Sequence, residues 1–535
     1  MNAAAPTPAA ATTVIPPRIK SFTLCDFRAF AGPEPVTFQL DGKNLLIYGE
    51  NGAGKSSVFH ALDEFFSVAR GGPQARRERL LALKNIFSGQ PETGLKISVE
   101  FDDGMPAAEW TPARHPVDIT PAADDRVKNA AYRKAILDYR SLLETNYRHG
   151  DGPVNLFDVC INLLLRDFEV PVSGNPRLID IWQRMQSAAA KARRRSRPHL
   201  RTNEIAEINT LCLNLNEGLR SALSAIQPYI TPLLKDLGWD DIAVTRINLP
   251  GGVTYSNAGL KISKEFDGCV IDLELEFRGN RIDRPQTFLN EARLSALALA
   301  IYFAGRRVCA ATLQADTPRL IVLDDVLIGL DQSNRMPVLR MLDQHFEGWQ
   351  IVLLTHDRVW YEMARFHLAD RTDWASVEMF EEKQPDGTPI PIAGPVRPFV
   401  KPTSIDAIAA NIATARKFHG MNEYAAAAVH ARVAFELTLK KLCERKSVPV
   451  RFKTDPRELN TEDLLTAIEN WLDDTKRAQI KPSVEAAIKD VRLARKVVLN
   501  QFSHSTPVNL ADIEVKSAID AVEKLHADFH AHIPK

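Results

Sequence analysis

The sequence has no net charge, no closely spaced cysteine pairs and no long apolar segment. Its 67 lysines and arginines balance 67 aspartates and glutamates, so no overall basic field attracts the protein to nucleic acid. None of its six cysteines belongs to a Cys-x-x-Cys pair, which argues against structural zinc and disulfides and fits a reducing cytoplasm. No apolar run approaches the roughly 18 residues of a membrane span, so we expect a cytoplasmic protein without membrane insertion.

Internal repeats and sustained heptads are also missing, which argues against a solenoid and a long coiled-coil arm. With 535 residues and 45% hydrophobic content, the chain can form several domains with their own cores. Shifts in composition and periodicity predict a disordered tail over 1–17, two α/β lobes over 18–121 and 241–383, a helical insertion over 122–240, a linker over 384–402 and a helical domain over 403–535.

The most informative motif is Gly49-Glu50-Asn51-Gly52-Ala53-Gly54-Lys55-Ser56, which directly follows the apolar run 45–48. This G-x-x-x-x-G-K-S pattern between a strand and a helix predicts a phosphate-binding loop. Glycines let successive N–H groups surround a phosphate, the lysine bridges two phosphates, and the serine hydroxyl can ligate Mg²⁺. We therefore predict that ATP and Mg²⁺ bind here, with contacts from Gly49, Asn51, Gly52, Gly54, Lys55, Ser56 and Ser57.

A second motif lies at the end of the apolar run 320–323, where Asp324 and Asp325 follow one another. A carboxylate at this place beside a phosphate loop can hold Mg²⁺, so we assign the metal to Asp324 together with Ser56. The next acid, Asp325, stands where a base must orient the attacking water. After another apolar run, 350–354, His356 can reach the γ-phosphate and sense its loss.

The order of phosphate loop, D-D-x-x-x-x-L-D ending at Asp331, and Thr-His ending at His356 resembles an ABC-type ATPase head of the RecF/SMC-like branch. The segment 27–30, Phe-Arg-Ala-Phe, is similar to the opening of that branch and adds Arg28 to the nucleotide contacts. The resemblance covers about residues 18–380. It implies a P-loop NTPase head with a mixed sheet and a homodimer, or higher homo-oligomer, with ATP between the heads.

In such heads a signature segment on a second copy caps the γ-phosphate. The matching place here is Leu-Asn-Glu-Ala-Arg over 289–293, and we assign nucleotide contacts to Asn290 and Arg293. Asparagine is a good helix N-cap and could still approach phosphate. The alternative interpretation is a well-capped helix of the core without a role in binding.

Asp325 is one methylene shorter than the glutamate that serves as base in most ABC heads. Because a misplacement of about one ångström can cost roughly 10²-fold in rate, we expect slow hydrolysis and a long-lived ATP-bound dimer. The altered signature and the Asp-Asp pair are similar to ATPases of bacterial anti-phage systems, such as the Septu-type and retron-associated ATPases. This resemblance implies a sensor or scaffold that controls a separate nuclease or toxin. A RecF-like DNA-repair ATPase is the alternative.

The region from 405 to the end has helical periodicity and resembles a HEPN-type bundle, whose active members are RNases with an R-x₄₋₆-H motif. No arginine stands at the required distance before His504, so a structural or partner-binding bundle is favoured over an ATP-gated RNase toxin. The best local candidate for nucleic-acid contact is a basic run, because clustered arginines displace phosphate counterions, although a solvated helix end explains it equally well. Its residues are Arg193, Arg194, Arg195, Arg197 and Arg201.

Overall fold

The chain folds into two compact units, the first formed by Met1–Tyr361 and Val377–Lys401 and the second by Glu362–Ser376 and Pro402–Lys535. The α/β class with an all-α C-terminal part is confirmed. The computed structural model describes residues 16–67, 72–118, 124–131, 135–138, 155–193, 202–256, 266–282, 285–311, 317–330, 332–369, 371–382, 397–403, 405–451, 460–473, 481–494 and 512–532.

The first unit begins with an antiparallel sheet. Its strands are β1 (Ile19–Cys25), β2 (Val36–Gln39), β4 (Lys96–Phe101) and β5 (Ala108–Trp110), in the order β2-β1-β4-β5. Side chains of β4 alternate between half-buried and buried, as expected for a strand with one face on a core. Phe22 of β1 lies opposite Phe38 and stacks on its ring at 4.5 Å between centroids.

The main sheet runs in the order β15-β14-β3-β13-β12-β6. Its strands are β3 (Asn44–Gly49), β6 (Ala135–Asp138), β12 (Leu320–Asp324), β13 (Gln350–Thr355), β14 (Trp374–Glu381) and β15 (Pro398–Thr403). The strands β3, β13, β12 and β6 pair in parallel, and every residue of β3, β12 and β13 is buried. Parallel strands covered on both faces require such continuous apolar runs. Their carboxyl ends therefore meet at one edge, with Tyr48 opposite Thr355 and Asp324 opposite Leu354.

Two segments of this sheet differ from what the sequence pattern indicates. The spacing of Ile136 and its neighbours predicts a helix, whereas Ala135–Asp138 is a strand in parallel register with β12. The prolines and glycines of 384–402 predict a linker, but Pro398–Thr403 forms the edge strand β15. A proline is tolerated at the start of an edge strand because its missing N–H removes no ladder bond there.

Helices and smaller strands complete the first unit. The helices are α1 (Lys55–Phe65), α2 (Pro73–Ala82), α3 (Asp125–Ala131), α4 (Phe157–Val159, continued by a π-helical turn over Cys160–Leu164), α5 (Leu178–Arg193), α6 (Thr202–Asp236), α7 (Pro285–Phe288), α8 (Glu291–Ala310), α9 (Gln332–His345) and α10 (Arg358–Leu368), the last running into the second unit. The remaining strands are β7 (Ile242–Asn248), β8 (Thr254–Tyr255), β9 (Phe266–Asp267), β10 (Asp272–Phe277) and β11 (Asn280–Ile282).

The long helix α6 has 35 residues and packs against α8. At 1.5 Å per residue it extends for about 52 Å. The apolar positions Ile208, Leu211 and Leu215 that indicate a helix in the sequence are all buried in it.

The second unit is a helical bundle. Its helices are α11 (Ala407–Gly420), α12 (Tyr424–Arg445), α13 (Thr461–Leu472), α14 (Lys481–Ala494) and α15 (Asp512–His532). Close packing of α11 against α12 follows from small side chains, since Ala415, Ala427, Ala428 and Ala431 are fully or almost fully buried between their neighbours.

Several predicted features lie outside the described residues: most of the tail over 1–17, most of the linker over 384–402, Asp331, the side chains of the basic run 193–201, and His504. Among the described helices, none combines the length and the apolarity that crossing a membrane requires.

Candidate functional site

The phosphate loop joins the buried strand β3 to α1 through backbone conformations that favour glycine. Gly52 and Gly54 have φ values of 93° and 92°, in the left-handed region where a side chain is strained. Gly54 is the N-cap of α1 and has no side chain to satisfy the first N–H groups of the helix. The loop therefore presents backbone donors and the positive end of the helix dipole, which together suit an anion.

Lys55 is turned inward against its own loop. Its Nζ atom donates to the carbonyl oxygens of Gly49 at 2.7 Å and Glu50 at 3.2 Å, and only 5% of the residue is exposed. Burial lowers the pKa of Lys55, while the carboxylates of Asp325 and Asp324 oppose that shift. The ammonium is thus a partly desolvated cation held by neutral carbonyls, and phosphate oxygens would satisfy it better.

Ser56 and Asp324 meet directly, although 268 positions separate them in sequence. The Ser56 hydroxyl donates to Oδ2 of Asp324 at 3.1 Å, whereas the buried Oδ1 has no hydrogen-bond partner among the described residues. Burial, followed by the charge of Asp325, raises the pKa of Asp324 to about 6. A buried carboxylate oxygen without a donor beside a hydroxyl fits Mg²⁺, which binds through one or two carboxylates plus phosphate oxygens.

No group of three or more His, Cys, Asp and Glu side chains in the described part of the chain could hold a metal by itself. The pair Ser56 and Asp324 would therefore need phosphate oxygens and water to complete an octahedral shell.

Asp325 and His356 are also brought together, at the ends of β12 and β13. Asp325 has φ of 54°, and its Oδ1 accepts the backbone N–H of His356 at 2.9 Å. Nδ1 of His356 lies 3.0 Å from the same oxygen, but without the alignment of a hydrogen bond. His356 is the more exposed of the two side chains, at 35% against 19%. A left-handed aspartate is uncommon, and this conformation directs the carboxylate across to the neighbouring strand end.

The Phe-Arg segment lies against the start of α1. The backbone N–H of Ala29 donates to the Ser57 hydroxyl at 3.4 Å, and the N–H of Arg28 donates to the Leu83 carbonyl at 2.8 Å. Asn85 donates to the Arg28 carbonyl at 2.5 Å and is itself almost fully buried. Burial lowers the pKa of Arg28, partly offset by Glu64. The segment is therefore fixed by its backbone next to the loop.

At the signature position, which we define as Asn290 to Arg293, the two polar side chains discussed in the sequence have partners within their own chain. Asn290 is the N-cap of α8, and its side chain accepts the N–H of Arg293 at 3.0 Å. The Arg293 guanidinium donates to Asp241 at 2.9 Å and lies 4.9 Å from the Trp239 ring centroid and 5.2 Å from that of Phe277. None of the hydrogen bonds that Asn290 and Arg293 make within the described residues reaches the phosphate loop.

The structure thus collects Gly49–Ser57, Asp324, Asp325 and His356 at one edge of the main sheet. It leaves Asn290 and Arg293 engaged elsewhere within the same chain. Sequence reasoning missed Asp138, which lies opposite Asp324 in register and adds a third acid whose charge raises the pKa of Asp324. The strand β6 spans four residues, too few for periodicity to separate it from a helix.

Residues 21–116, which include the phosphate loop, match the family model described as AAA domain. A comparison with curated protein sequences gives no match.

Among solved structures, the chain is similar to the recombination mediator protein RecF with ATPrS, at 14% identity, a TM-score of 0.42 and coverage of 72% of this chain and 99% of that one. It is similar to the Smc head domain bound to the C-terminal domain of ScpA from Pyrococcus furiosus, at 14% identity and a TM-score of 0.38, over 72% of this chain and 96% of that one. The SMC head domain from Thermotoga maritima gives 13% identity and a TM-score of 0.33, over 72% and 99%.

Proposed function

We propose that this chain is an ABC-type ATPase of the RecF/SMC-like branch that binds ATP with Mg²⁺ and hydrolyses it slowly. The observation that supports this most is the contact between Ser56 of the phosphate loop and the buried Asp324, whose second oxygen has no hydrogen-bond partner among the described residues. This pair joins a phosphate-binding element to a metal-binding carboxylate. An ordinary glycine turn would not need either.

Binding follows from the groups already in place. The β-phosphate would occupy the backbone N–H groups between Gly49 and Lys55, and Lys55 would exchange two loop carbonyls for phosphate oxygens. Ser56 and Asp324 would hold Mg²⁺, which supplies charge neutralisation and orientation of the phosphates when it is bound. Arg28, Asn51 and Ser57 complete the set of proposed contacts around the loop.

Hydrolysis requires a base that orients water, and we assign that role to Asp325 with His356 beside it. The carboxylate of Asp325 accepts the N–H of His356, so one of its oxygens is engaged before any water is bound. The side chain of Asp325 is short, and one of its oxygens already accepts a hydrogen bond. The other oxygen therefore has less freedom to orient a water molecule than a glutamate oxygen would have. We therefore expect a turnover number below about 1 s⁻¹, at the slow end for enzymes.

The γ-phosphate side of the loop would be closed by Asn290 and Arg293 of a second copy of the chain, as the ABC resemblance implies. Asp331 belongs to the same proposed contact. ATP would then act as a switch on assembly, and the bound dimer would persist because hydrolysis is slow.

The test is the oligomeric state of the full chain with Mg-ATP. Light scattering and equilibrium dialysis on the wild type, Asp325→Asn and Lys55→Ala separate binding from assembly. We expect the wild type and Asp325→Asn to bind ATP, and the dimer to accumulate most in Asp325→Asn. Lys55→Ala should neither bind ATP nor form the dimer. A monomer at saturating ATP in Asp325→Asn would contradict the shared site, and absence of binding to the wild type would contradict the whole proposal.

We further propose that the ATP-bound assembly controls a separate nuclease or toxin in bacterial anti-phage defence. The support is the similarity of the Asn-Glu-Ala-Arg signature and the Asp-Asp pair to ATPases of such systems. Plaque counts on cells that carry the native locus, with and without Lys55→Ala, test it. Protection that is unaffected by the substitution would contradict an ATP-dependent role.

A RecF-like role at DNA is the second candidate, since the basic run 193–201 could contact phosphates. In that case DNA binding should fall steeply with salt, and neutralising the arginines should flatten that dependence. Weak DNA binding whose affinity does not change with salt concentration would favour the defence proposal.

A further inference from the structure

Two neighbouring strands contact the two ends of the phosphate loop. A Cβ atom added at Gly49 would lie 3.1 Å from Cβ of Met379 in β14 and 3.2 Å from its carbonyl oxygen. A Cβ atom added at Gly54 would lie 2.7 Å from Cγ of Pro398 in β15. Between them, Gly52 would meet nothing within 4 Å. The loop therefore packs tightly against β14 at its start and against β15 at its end. It is open in its middle, where a phosphate would enter.

The contact at Gly54 is the more consequential of the two. Gly54 caps α1 and precedes Lys55, so its position sets where the first N–H groups of the helix point. Pro398 is buried, and its ring has no flexible end that could swing away, unlike a long side chain. Any displacement of Gly54 toward β15 must therefore displace Pro398 as well.

Pro398 is held in turn by its neighbours within the first unit. The guanidinium of Arg397 donates to the Glu34 carbonyl at 2.7 Å and to the Glu34 carboxylate at 3.2 Å. The Arg397 carbonyl accepts the N–H of Glu382 at 2.9 Å, next to the end of β14. The strand start is thus fixed on both sides, and Pro398 forms a defined surface behind the loop.

The same two strands lead into the second unit. Residues 374–376 of β14 and 402–403 of β15 belong to that unit, so the chain passes between the units within both strands. Shortly after β15, Asp406 caps α11 by accepting the N–H groups of Ile408 at 2.9 Å and Ala409 at 3.1 Å. The first helix of the bundle therefore follows directly, along the chain, from the strand that contacts Gly54.

We propose that Met379 and Pro398 are positioning residues for the phosphate loop, and that β14 and β15 transmit nucleotide occupancy to the helical second unit. The inference rests on the proposed binding of ATP. When phosphate replaces the carbonyl partners of Lys55, the loop closes around it, and the strands behind Gly49 and Gly54 shift with the loop. Tightly packed contacts respond by moving together, because no free volume absorbs the change.

The experiment is hydrogen exchange on the full chain with and without saturating Mg-ATP, together with ATP affinity by equilibrium dialysis. In the wild type we expect ATP to change the exchange of amides in Ala407–Gly420. In Pro398→Ala, which removes the ring, we expect about 3- to 10-fold weaker binding, because ATP must then order a loop that is less fixed beforehand. The ATP-dependent change in the helix should be lost in that variant even at saturation.

Two control variants separate positioning from general stability. Pro398→Val keeps a bulky side chain behind Gly54 and should retain both affinity and the exchange response. Phe399→Ala alters the adjacent residue of the same strand, whose side chain is half exposed, and should also behave like the wild type.

Failure of the inference and failure of the proposed function give different results. Wild-type protein that binds Mg-ATP without any change in the exchange of Ala407–Gly420 would overturn the transmission, whether or not a variant folds. Wild-type affinity in Pro398→Ala would overturn the positioning role. Wild-type protein that does not bind Mg-ATP would contradict the proposed function, and the inference with it.

Discussion

The phosphate loop and the signature position, the two regions that ATP would bridge, differ in how their polar groups are satisfied. At the loop, the hydrogen bonds that Lys55 makes within the described residues go to carbonyl oxygens, and Asp324 keeps a buried oxygen that no described residue satisfies. At the signature position, Asn290 caps its own helix and Arg293 is paired with Asp241. The first region has polar groups that a ligand could satisfy, whereas the side chains of Asn290 and Arg293 already have partners within the chain.

This difference indicates that the two regions respond differently to substitution. Groups that lack good partners contribute little to folding and much to binding, because a ligand satisfies them. Groups that are already paired contribute to folding first. Substitutions in the two regions test this contrast.

The largest effect is expected for Lys55→Ala. Removing a positioned cation from a phosphate site costs about 10²- to 10³-fold in catalytic rate, so kcat/KM for ATP should fall by that amount. Folding should be unaffected or improved, since a desolvated charge is lost. Steady-state ATPase assays measure the effect, with Lys43→Ala, an exposed lysine just before β3, as the matched control. Equal losses in both variants would show that the contrast is wrong.

Asp325→Asn should reduce kcat by roughly 10²-fold while leaving ATP affinity within about 3-fold, as expected for loss of a base alone. Asparagine tolerates the φ of 54° at this position, so the backbone is preserved. Single-turnover hydrolysis with radiolabelled ATP separates the two quantities. Unchanged hydrolysis would assign the base to another residue.

Asp324→Asn should stabilise the nucleotide-free protein in a pH-dependent way. Burial raises the pKa of Asp324 from 3.8 to about 6, so the folded chain holds this proton more tightly than the unfolded chain does. The wild type therefore loses stability as the pH rises from about 4 to about 6, and little more above that range. Asparagine stays neutral, so its advantage should grow over the same window to about 2–3 kcal/mol.

Urea unfolding of both proteins between about pH 4 and pH 7 checks this, with the exposed Asp240→Asn as control. Binding of Mg-ATP should weaken in Asp324→Asn although the protein is more stable. A constant difference across the pH range would mean that Asp324 is ionised throughout.

The smallest effect is expected at the signature position. Asn290→Ala should cost about 1 kcal/mol of stability through the lost cap, and Asn290→Ser, which can still cap, about half of that or less. Arg293→Ala should cost a similar amount, because its partners are Asp241 and the rings of Trp239 and Phe277. Thermal unfolding measures these changes. If Asn290→Ser abolishes ATP-dependent assembly while keeping stability, Asn290 acts on the nucleotide as proposed, in addition to capping its own helix.

Much of the fold could be predicted from the sequence, because the main strands have strong local signals. The apolar runs that become β3, β12 and β13 each end at chemically distinctive residues, and parallel pairing brings those ends together. The roles proposed for Lys55, Ser56 and Asp324 follow from this rule and a known loop pattern, and they stay predictions.

The parts that sequence did not predict depend on contacts between distant residues. Nothing near Arg293 indicates that Asp241 and Trp239 hold it, because these partners lie more than fifty positions earlier in the chain. The left-handed backbone of Asp325 depends on the neighbouring strand that supplies its partner. The sequence does not indicate the strand β15, because its first residue is a proline, and prolines usually mark the boundary of a regular element.

The strand β15 also affects where this chain could recombine with related chains during evolution. A recombination event at the proline-rich stretch before residue 397 would separate the phosphate loop from Pro398, the residue that backs its last glycine. A crossover just after Thr403, where β15 ends, would keep the loop and its support together. Chimeras joined at the second point should therefore retain the affinity for nucleotide, and those joined at the first should bind it more weakly.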